Sequence, residues 1–395
     1  MQKADKDTIK RNNKKVILSC LKNRDLSRTD LAAMTGLSNS TVSTLVSELT
    51  GENIVFEKSV AESSGGRKPI ILSINPDIAY TMQIKITQHR ISVAIVDLKL
   101  RVIYQKDTFF REGGDACVRE AMLSAIDRAL ADNASIAGKF AGVGVSVPGL
   151  VDHHTDRILL SSLLHLRNMD IKSIINSRIK RRVYVFKDTD ALMLGEYIIN
   201  GLNTNESYLY LLVDSGVGLS FMNKGEILQL NRSGFEIGHV QLDEHGPQCN
   251  CGNYGCVEAF VSEQAAKRDL EAVSAGNPNY QVDIDSLKFS DIVKRSNEDD
   301  PYAIHVLFNQ CVHLGRVVAL VINLYAPNMV LIGGPLSGSK YNILETVEKS
   351  AERSELEIYR SWKTSIRFTN TGDKACFIGM ADKIFNSEFF EQQMI

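Results

Sequence analysis

The residues of this chain best suited to chemistry lie in one short stretch, Glu236-Ile-Gly-His239 followed by Cys249-Asn-Cys251-Gly-Asn-Tyr-Gly-Cys256-Val-Glu258. His239, Cys249, Cys251 and Cys256 place one imidazole and three thiols within eighteen residues. That is the Cys3His donor set favoured by structural zinc, and a tetrahedral Zn2+ site is the expected chemistry. Gly252 and Gly255 free the backbone to fold back so that the three sulfurs converge. The other four of the seven cysteines, Cys20, Cys117, Cys311 and Cys376, stand singly and far apart, so composition does not explain the cluster. Spacing alone leaves two alternatives open: three buried thiols beside an unrelated histidine, and a site in which His245 replaces His239. A clustered set of intracellular cysteines more often binds metal than forms a disulfide framework.

The elements that must position these groups occupy 395 residues, enough for two or three domains. No secretory signal is visible at the polar, lysine-rich N-terminus, and no apolar run looks long enough to span a bilayer. A cytoplasmic protein without a membrane segment is expected. Charge is uneven along the chain. Residues 1–75 carry +4 and the remainder −6, so a small basic module precedes a large acidic body, as expected where the first part binds a polyanion.

The basic segment has the pattern of a winged helix-turn-helix. Apolar residues Val16, Ile17, Leu18, Cys20 and Leu21 mark a helix over Asn13–Asn23 with one buried side. Ser27 and Asp30 have capping-box spacing, and Gly36 suits a left-handed helix end. Ser38 then caps a third helix whose inner face is Val42, Leu45, Val46 and Leu49. Two strands, 54–58 and 68–74, flank a Ser63-Ser64-Gly65-Gly66 hairpin tip. The N-terminal turn of a recognition helix faces base edges. Ser38, Asn39, Ser40, Thr41 and Thr44 are therefore expected to meet DNA, with Arg28 on a phosphate and Arg67 of the wing in a minor groove. The alternative is a small helical domain that contacts protein, since hydroxyl residues at a helix start are also ordinary caps.

Beyond Pro76 a three-strand meander recurs, first over Met82–Thr87, Ile91–Asp97 and Arg101–Gln105, then over Tyr208–Val213, Val217–Met222 and Glu226–Gln229. Each copy opens one half of an α/β body. This internal duplication predicts a two-lobed actin-like, sugar-kinase-type fold with a ligand cleft between the lobes. Val143–Gly149, Val183–Asp188 and Met329–Pro335 read as buried strands delivering loops and a carboxylate to that cleft.

From about residue 13 to 385 the chain resembles the repressors of the ROK family. The resemblance rests on the Glu-x-Gly-His and Cys-x-Cys-Gly-x-x-Gly-Cys-x-Glu signature, the Val147-Pro-Gly149 loop, and the preceding helix-turn-helix with its Gly-Gly-Arg wing. It implies a winged helix-turn-helix DNA-binding domain over 1–75. It also implies a sugar-kinase-like effector and dimerisation domain over 76–395, with a zinc loop over 239–256. A homodimer or dimer of dimers on an inverted-repeat operator would respond to a sugar or sugar phosphate, and some relatives respond to a protein instead.

By the same resemblance Asp188, Glu236, His239 and Glu258 are the sugar-binding residues, and Asp188 stands where the family's kinases keep their catalytic base. The alternative, an ATP-dependent sugar kinase, is disfavoured. The turn after the first strand reads Lys85-Ile-Thr-Gln-His89, without the glycines that admit phosphates or the acid expected near Mg2+. The second phosphate turn, Asp214-Ser-Gly216-Val-Gly218, is partly intact. No catalytic residue is therefore expected, and a degenerate sugar-binding scaffold with a protein-binding N-terminus is a third reading. Two departures bear on the ligand: Lys187 replaces the family's Asn, and Ser162-Leu163-Leu164 replaces Pro-Asn-Leu. Lys187 with His165 and Arg167 would suit an anionic effector, or Lys187 would pair with Asp188.

Overall fold

The structure is a computed structural model, and it describes residues 6–58, 70–111, 113–152, 154–230 and 234–390. The first 74 residues build α1 (Lys6–Asn23), β1 (Leu26–Ser27), α2 (Arg28–Thr35), α3 (Asn39–Gly51), β2 (Val55–Lys58) and β3 (Ile71–Ile74). The three strands form one antiparallel sheet in the order β1-β3-β2. Local chemistry sets the helix ends. The Ser27 side chain accepts from the Asp30 amide while Asp30 accepts from the Ser27 amide, a reciprocal capping box. Gly36, at φ 69°, closes α2 with a left-handed residue. The Ser38 side chain caps α3 by accepting from Thr41, and Val42, Leu45, Val46 and Leu49 form its buried face. Helix α1 begins at Lys6, about two turns before Asn13, where its apolar pattern starts. The hairpin tip Ser63–Gly66 and Arg67 lie outside the described residues.

Two lobes follow. The first contains β4 (Tyr80–Ile86), β5 (Arg90–Asp97), β6 (Val102–Phe109), α4 (Asp115–Asp132) and β7 (Phe140–Val147). A small antiparallel sheet of β8 (Leu150–Asp152), β9 (Arg157–Ser161) and β10 (Leu166–Met169) comes next, then α5 (Ile171–Asn176), β11 (Arg182–Lys187) and α6 (Asp188–Ile199). The second lobe contains β12 (Ser207–Val213), β13 (Val217–Asn223), β14 (Glu226–Ile227), α7 (Val257–Phe260), α8 (Glu263–Ser274), α9 (Phe289–Asn297) and α10 (Pro301–Tyr325). It ends with β15 (Met329–Gly333), α11 (Ile343–Glu352), α12 (Glu357–Trp362), β16 (Ser365–Phe368) and α13 (Gly372–Ile384).

The main sheets have matching topology, β6-β5-β4-β7-β11 and β14-β13-β12-β15-β16. In each, an antiparallel meander is extended by two parallel strands. The duplication read from the meanders is thus a duplication of whole sheets. Helix α6 begins at the end of the first sheet and packs on the second, and α13 runs over the first sheet.

The two helices meet with almost no side chain between them. A Cβ built on Gly195 of α6 would lie 1.9 Å from the Ala375 carbonyl oxygen, and one on Gly379 of α13 would lie 2.3 Å from that of Ala191. Beside this crossing Glu196, fully buried, accepts from the hydroxyls of Thr369 and Thr371 and from the Asn200 side chain. The lobes are therefore joined through backbone contact, which tolerates no added volume.

One sequence expectation needs correction. Helix α10, Pro301–Tyr325, is long and apolar enough to cross a membrane. It packs instead as the core helix of the second lobe, with Leu307, Leu314, Val318 and Ile322 buried in that lobe's core. Its apolar length reflects burial on several sides at once.

Gly195→Ala should lower unfolding stability by about 1–3 kcal/mol in urea titrations, since overpacking at a rigid contact forces backbone shifts. Gly276→Ala, where an added Cβ meets nothing within 4 Å, serves as the neutral comparison.

Candidate functional site

The Cys/His loop is built by turns that only glycine admits. Gly255 has φ 64°, and a Cβ there would sit 1.5 Å from the Asp243 carbonyl oxygen. That close approach lets Leu242 donate to the Gly255 carbonyl at 2.7 Å and aligns the Gln241 and Cys256 bridge. A second bridge, Gln248 with Tyr254, and the Cys249 amide on the Asn253 carbonyl at 2.8 Å close the tip. The ligand atoms of His239, Cys249, Cys251 and Cys256 lie within 4.8 Å of one another. His239 Nδ1 is 3.8 Å from Cys249 Sγ, and Cys251 Sγ is 3.8 Å from Cys256 Sγ. A tetrahedron with metal–sulfur bonds of about 2.3 Å has an edge of about 3.8 Å, so two donor pairs already stand at the spacing of a metal site. His245 is not part of the group: its ring is turned to solvent near Glu244. Cys249 and Cys256 are buried, and Cys251 is exposed.

Both acids of the signature hang from this loop. Glu258 opens α7 two residues after Cys256, and its Oε2 accepts from the Val217 amide at 3.1 Å. A Cβ on Gly216 would approach that same oxygen to 2.8 Å, so glycine in the second turn makes room for Glu258. Burial raises the Glu258 carboxyl, against the Val217 amide and His239. Glu236 precedes the short 3-10 turn Ile237–His239, which ties it to the first metal-ligand position.

Across the cleft, Asp188 is the first residue of α6 and accepts from the Thr189 amide at 2.8 Å. The residue is half-buried. Desolvation pushes its carboxyl up to about 6, against the pull of Lys187, the Thr189 amide and Lys85.

Lys187 pairs with Glu236 rather than with Asp188. Its ammonium donates to Glu236 Oε1 at 2.8 Å and to the carbonyls of Gly234 at 3.1 Å and Phe235 at 3.5 Å. Three acceptors match the three N–H groups of a lysine, which leaves none for a ligand. His165 and Arg167 are exposed on the small sheet and bond neither Lys187 nor one another, so the anionic pocket suggested by these three residues does not assemble. Leu164 of the replaced Pro-Asn-Leu segment is buried in the first lobe's core. Sequence reading missed that Lys187 joins the lobes, because its partners lie 47 to 49 residues ahead.

The first phosphate turn is also occupied. Lys85, at the end of β4, donates to Asp373 Oδ1 at 2.7 Å, and Arg90 donates to Asp373 Oδ2 at 2.8 Å and to Asp107 at 3.3 Å. Burial opposes ionisation of Asp373, but the two cations outweigh it and hold the carboxyl below its ordinary value. Asp214 of the second turn is itself pushed up by burial and by Glu263.

At the N-terminal segment Ser38, Asn39, Ser40 and Thr44 are exposed along one end of α3, and Thr41 is half-buried. The Ser38 hydroxyl lies 2.9 Å from Ser40 and 2.8 Å from Thr41, and Thr44 donates to the Ser40 carbonyl at 3.0 Å. Arg28 forms an ion pair with Glu57 at 2.9 Å, an internal competitor for any phosphate.

The raised Asp188 carboxyl gives a pH prediction. An acid that titrates higher when folded binds its proton more tightly in the native state, so its stability deficit grows as pH rises from about 4 to about 6 and stays full above. Asp188→Asn should therefore raise stability by about 1–3 kcal/mol at pH 8 and change it little at pH 4, as read by urea unfolding at the two pH values.

Comparison with known proteins agrees with this geometry. The ROK family signature matches residues 81–385. The xylose repressor of Bacillus subtilis is 26% identical over 393 residues, covering 98% of each chain. The N-acetylglucosamine repressor of Shigella flexneri is 24% identical, covering 85% of this chain and 83% of its own. A crystal structure of a ROK family transcriptional regulator, a homologue of the E. coli MLC protein, superposes with a TM-score of 0.79 at 22% identity, covering 98% of this chain and 99% of the other. A ROK family glucokinase from Streptomyces griseus, in complex with glucose and AMPPNP, has a TM-score of 0.68 at 21% identity and covers 77% of this chain and 99% of its own. The chain belongs to the ROK family.

Proposed function

We propose that this protein is a sugar-responsive transcriptional repressor without kinase activity. Its N-terminal segment, residues 1–75, would bind duplex DNA, and residues 76–395 would sense the effector and dimerise. The observation that carries the reading is the Lys85–Asp373–Arg90 cluster, which fills the turn where a family kinase needs open backbone amides for phosphate. The similarity to repressors along nearly the whole chain supports it, because the helix-turn-helix segment lies within the matched length.

DNA would meet the exposed N-terminal end of α3, through Ser38, Asn39, Ser40, Thr41 and Thr44, with Arg28 and Arg67 as phosphate and wing contacts. A dimer presents two such helices, which fits an inverted-repeat operator. The effector, a sugar or sugar phosphate, would hydrogen-bond Asp188, Glu258 and the free oxygen of Glu236, with His239 beside them. With Lys187 fully engaged, recognition of an anionic group is not assigned to it.

The metal fitting the donor set is zinc, held by His239, Cys249, Cys251 and Cys256. Four protein ligands leave no position for water, so the ion would be structural. It would fix the short segment from which Glu236 and Glu258 project.

Two experiments test this reading. Fluorescence anisotropy with duplexes from the region upstream of the gene should give saturable binding that weakens steeply with salt, as phosphate contacts release counterions. Removing residues 1–75 should abolish that binding, and unchanged affinity would overturn the assignment. Elemental analysis should find one zinc per chain. Cys251→Ser should lose it with a lower melting temperature, whereas zinc-free protein of native stability would refute the metal site.

A further inference from the structure

One helix touches the cleft, both lobes and the N-terminal segment. At its start, α13 carries Asp373, bonded to Lys85 and Arg90 of the first lobe beside Asp188. At its middle, Gly379 lies against the backbone of α6. At its end, Asp382 forms an ion pair with Lys22, the penultimate residue of α1. The helix then passes into one π-helical turn, Phe385–Phe390. That turn directs Asn386 to within 3.2 Å of the Lys22 ammonium and the Phe390 ring under it at 5.3 Å. Phe385, Phe389 and Phe390 share a core with Ile17, Leu18 and Leu21 of α1.

Lys22 is only 7% exposed, so its charge depends on these partners, and a buried charge separated from its partner is expensive. The position of α1 is thereby bound to the position of α13. A second attachment lies beside the first: Lys99, in the turn between β5 and β6, donates to the Leu21 carbonyl at 3.1 Å and to Asp25 at 2.7 Å. The N-terminal segment is held at two points, one on the first lobe's sheet and one on α13. Relative movement of α13 and that sheet would turn it.

The contact between α13 and the sheet is not purely apolar. Gln83 of β4 is fully buried facing Met380 and Ile384 of α13, and neither of its amide atoms has a protein partner. Thr81 and Ser92, also fully buried, leave their hydroxyls without one. A contact with unmet hydrogen bonds is held less firmly than an apolar one of the same size.

We propose that α13 relays the state of the cleft to the N-terminal segment, and that Lys22 is the positioning residue that receives it. The proposal rests on the DNA-binding reading only for what the movement controls. The Lys85–Asp373 contact sets the register of α13 over the sheet, and Lys22 converts that register into the orientation of α1. A ligand that repartitions charge around Asp188 and Lys85 acts on the first of these contacts. Coupling of this kind requires one two-state element biased from both ends.

Hydrogen exchange on the full chain tests the relay with neither DNA nor effector present. Lys85→Met removes the cleft-end contact and Lys22→Met the far one, and the double variant closes the cycle. Lys85→Met should change amide exchange in α1 by at least threefold when Lys22 is present and by less than 1.5-fold in the Lys22→Met background. No effect on α1, or equal effects in both backgrounds, would overturn the proposal. If Lys85→Met fails to fold, Asp373→Asn takes its place, with the same outcomes. Operator affinity of the same four proteins gives a second readout: a shift of about fivefold on Lys85→Met that disappears without Lys22. Absence of saturable DNA binding by the wild type would overturn the repressor reading, and the exchange cycle would still decide the relay.

Discussion

The contact between α6 and α13 constrains everything placed around the cleft. Where Gly195 and Gly379 face the opposing backbone, no side chain intervenes to be repacked, so the separation of the helices is set by van der Waals contact of main-chain atoms. Both helices begin at the cleft, with Asp188 as the first residue of one and Asp373 as the second of the other. The distance between Asp188 and the Lys85–Asp373–Arg90 cluster therefore follows from helix packing. Glu196, with three side-chain donors in a fully buried position, pins the same crossing from the side.

The opposing wall of the site is organised differently. No long helix carries Glu236 or Glu258. They project from a loop whose Cys249 and Cys256 pack with Ala259 in a small cluster separate from the main cores. Such a loop needs a cross-link to hold its acids in register, and a metal ion held by the four convergent donors would provide one. Lys187 supplies another, by tying the Gly234–Glu236 backbone to the end of the first lobe's sheet. The cleft thus has one wall fixed by helix packing and one carried by the Cys/His loop, bridged by the half-buried Lys187–Glu236 ion pair. Separating the pair would leave the buried Lys187 ammonium without its carboxylate, which is penalised.

The turn read as the first phosphate site both lacks its glycines and is occupied by paired side chains. Lys85 and Arg90 converge on one carboxylate, so the space is filled by a satisfied charge cluster. The glycines retained in the second turn have an additional reason to persist, since Gly216 accommodates Glu258.

The sequence by itself determined what depends on neighbours a few residues apart. The Ser27–Asp30 capping box, the Gly36 helix end, the buried face of α3 and the Cys3His spacing are all local, and the physics that makes them favourable operates within one turn or one loop. The paired meanders were legible because alternation of apolar residues records a sheet directly. Only the tertiary structure decided where the charges went. Lys85 meets Asp373 across 288 residues and Lys22 meets Asn386 across 364, and nothing local to either lysine distinguishes it from a solvated one. Those pairings follow from the order of strands in two sheets and from a helix crossing too close for side chains, which are properties of the assembled chain.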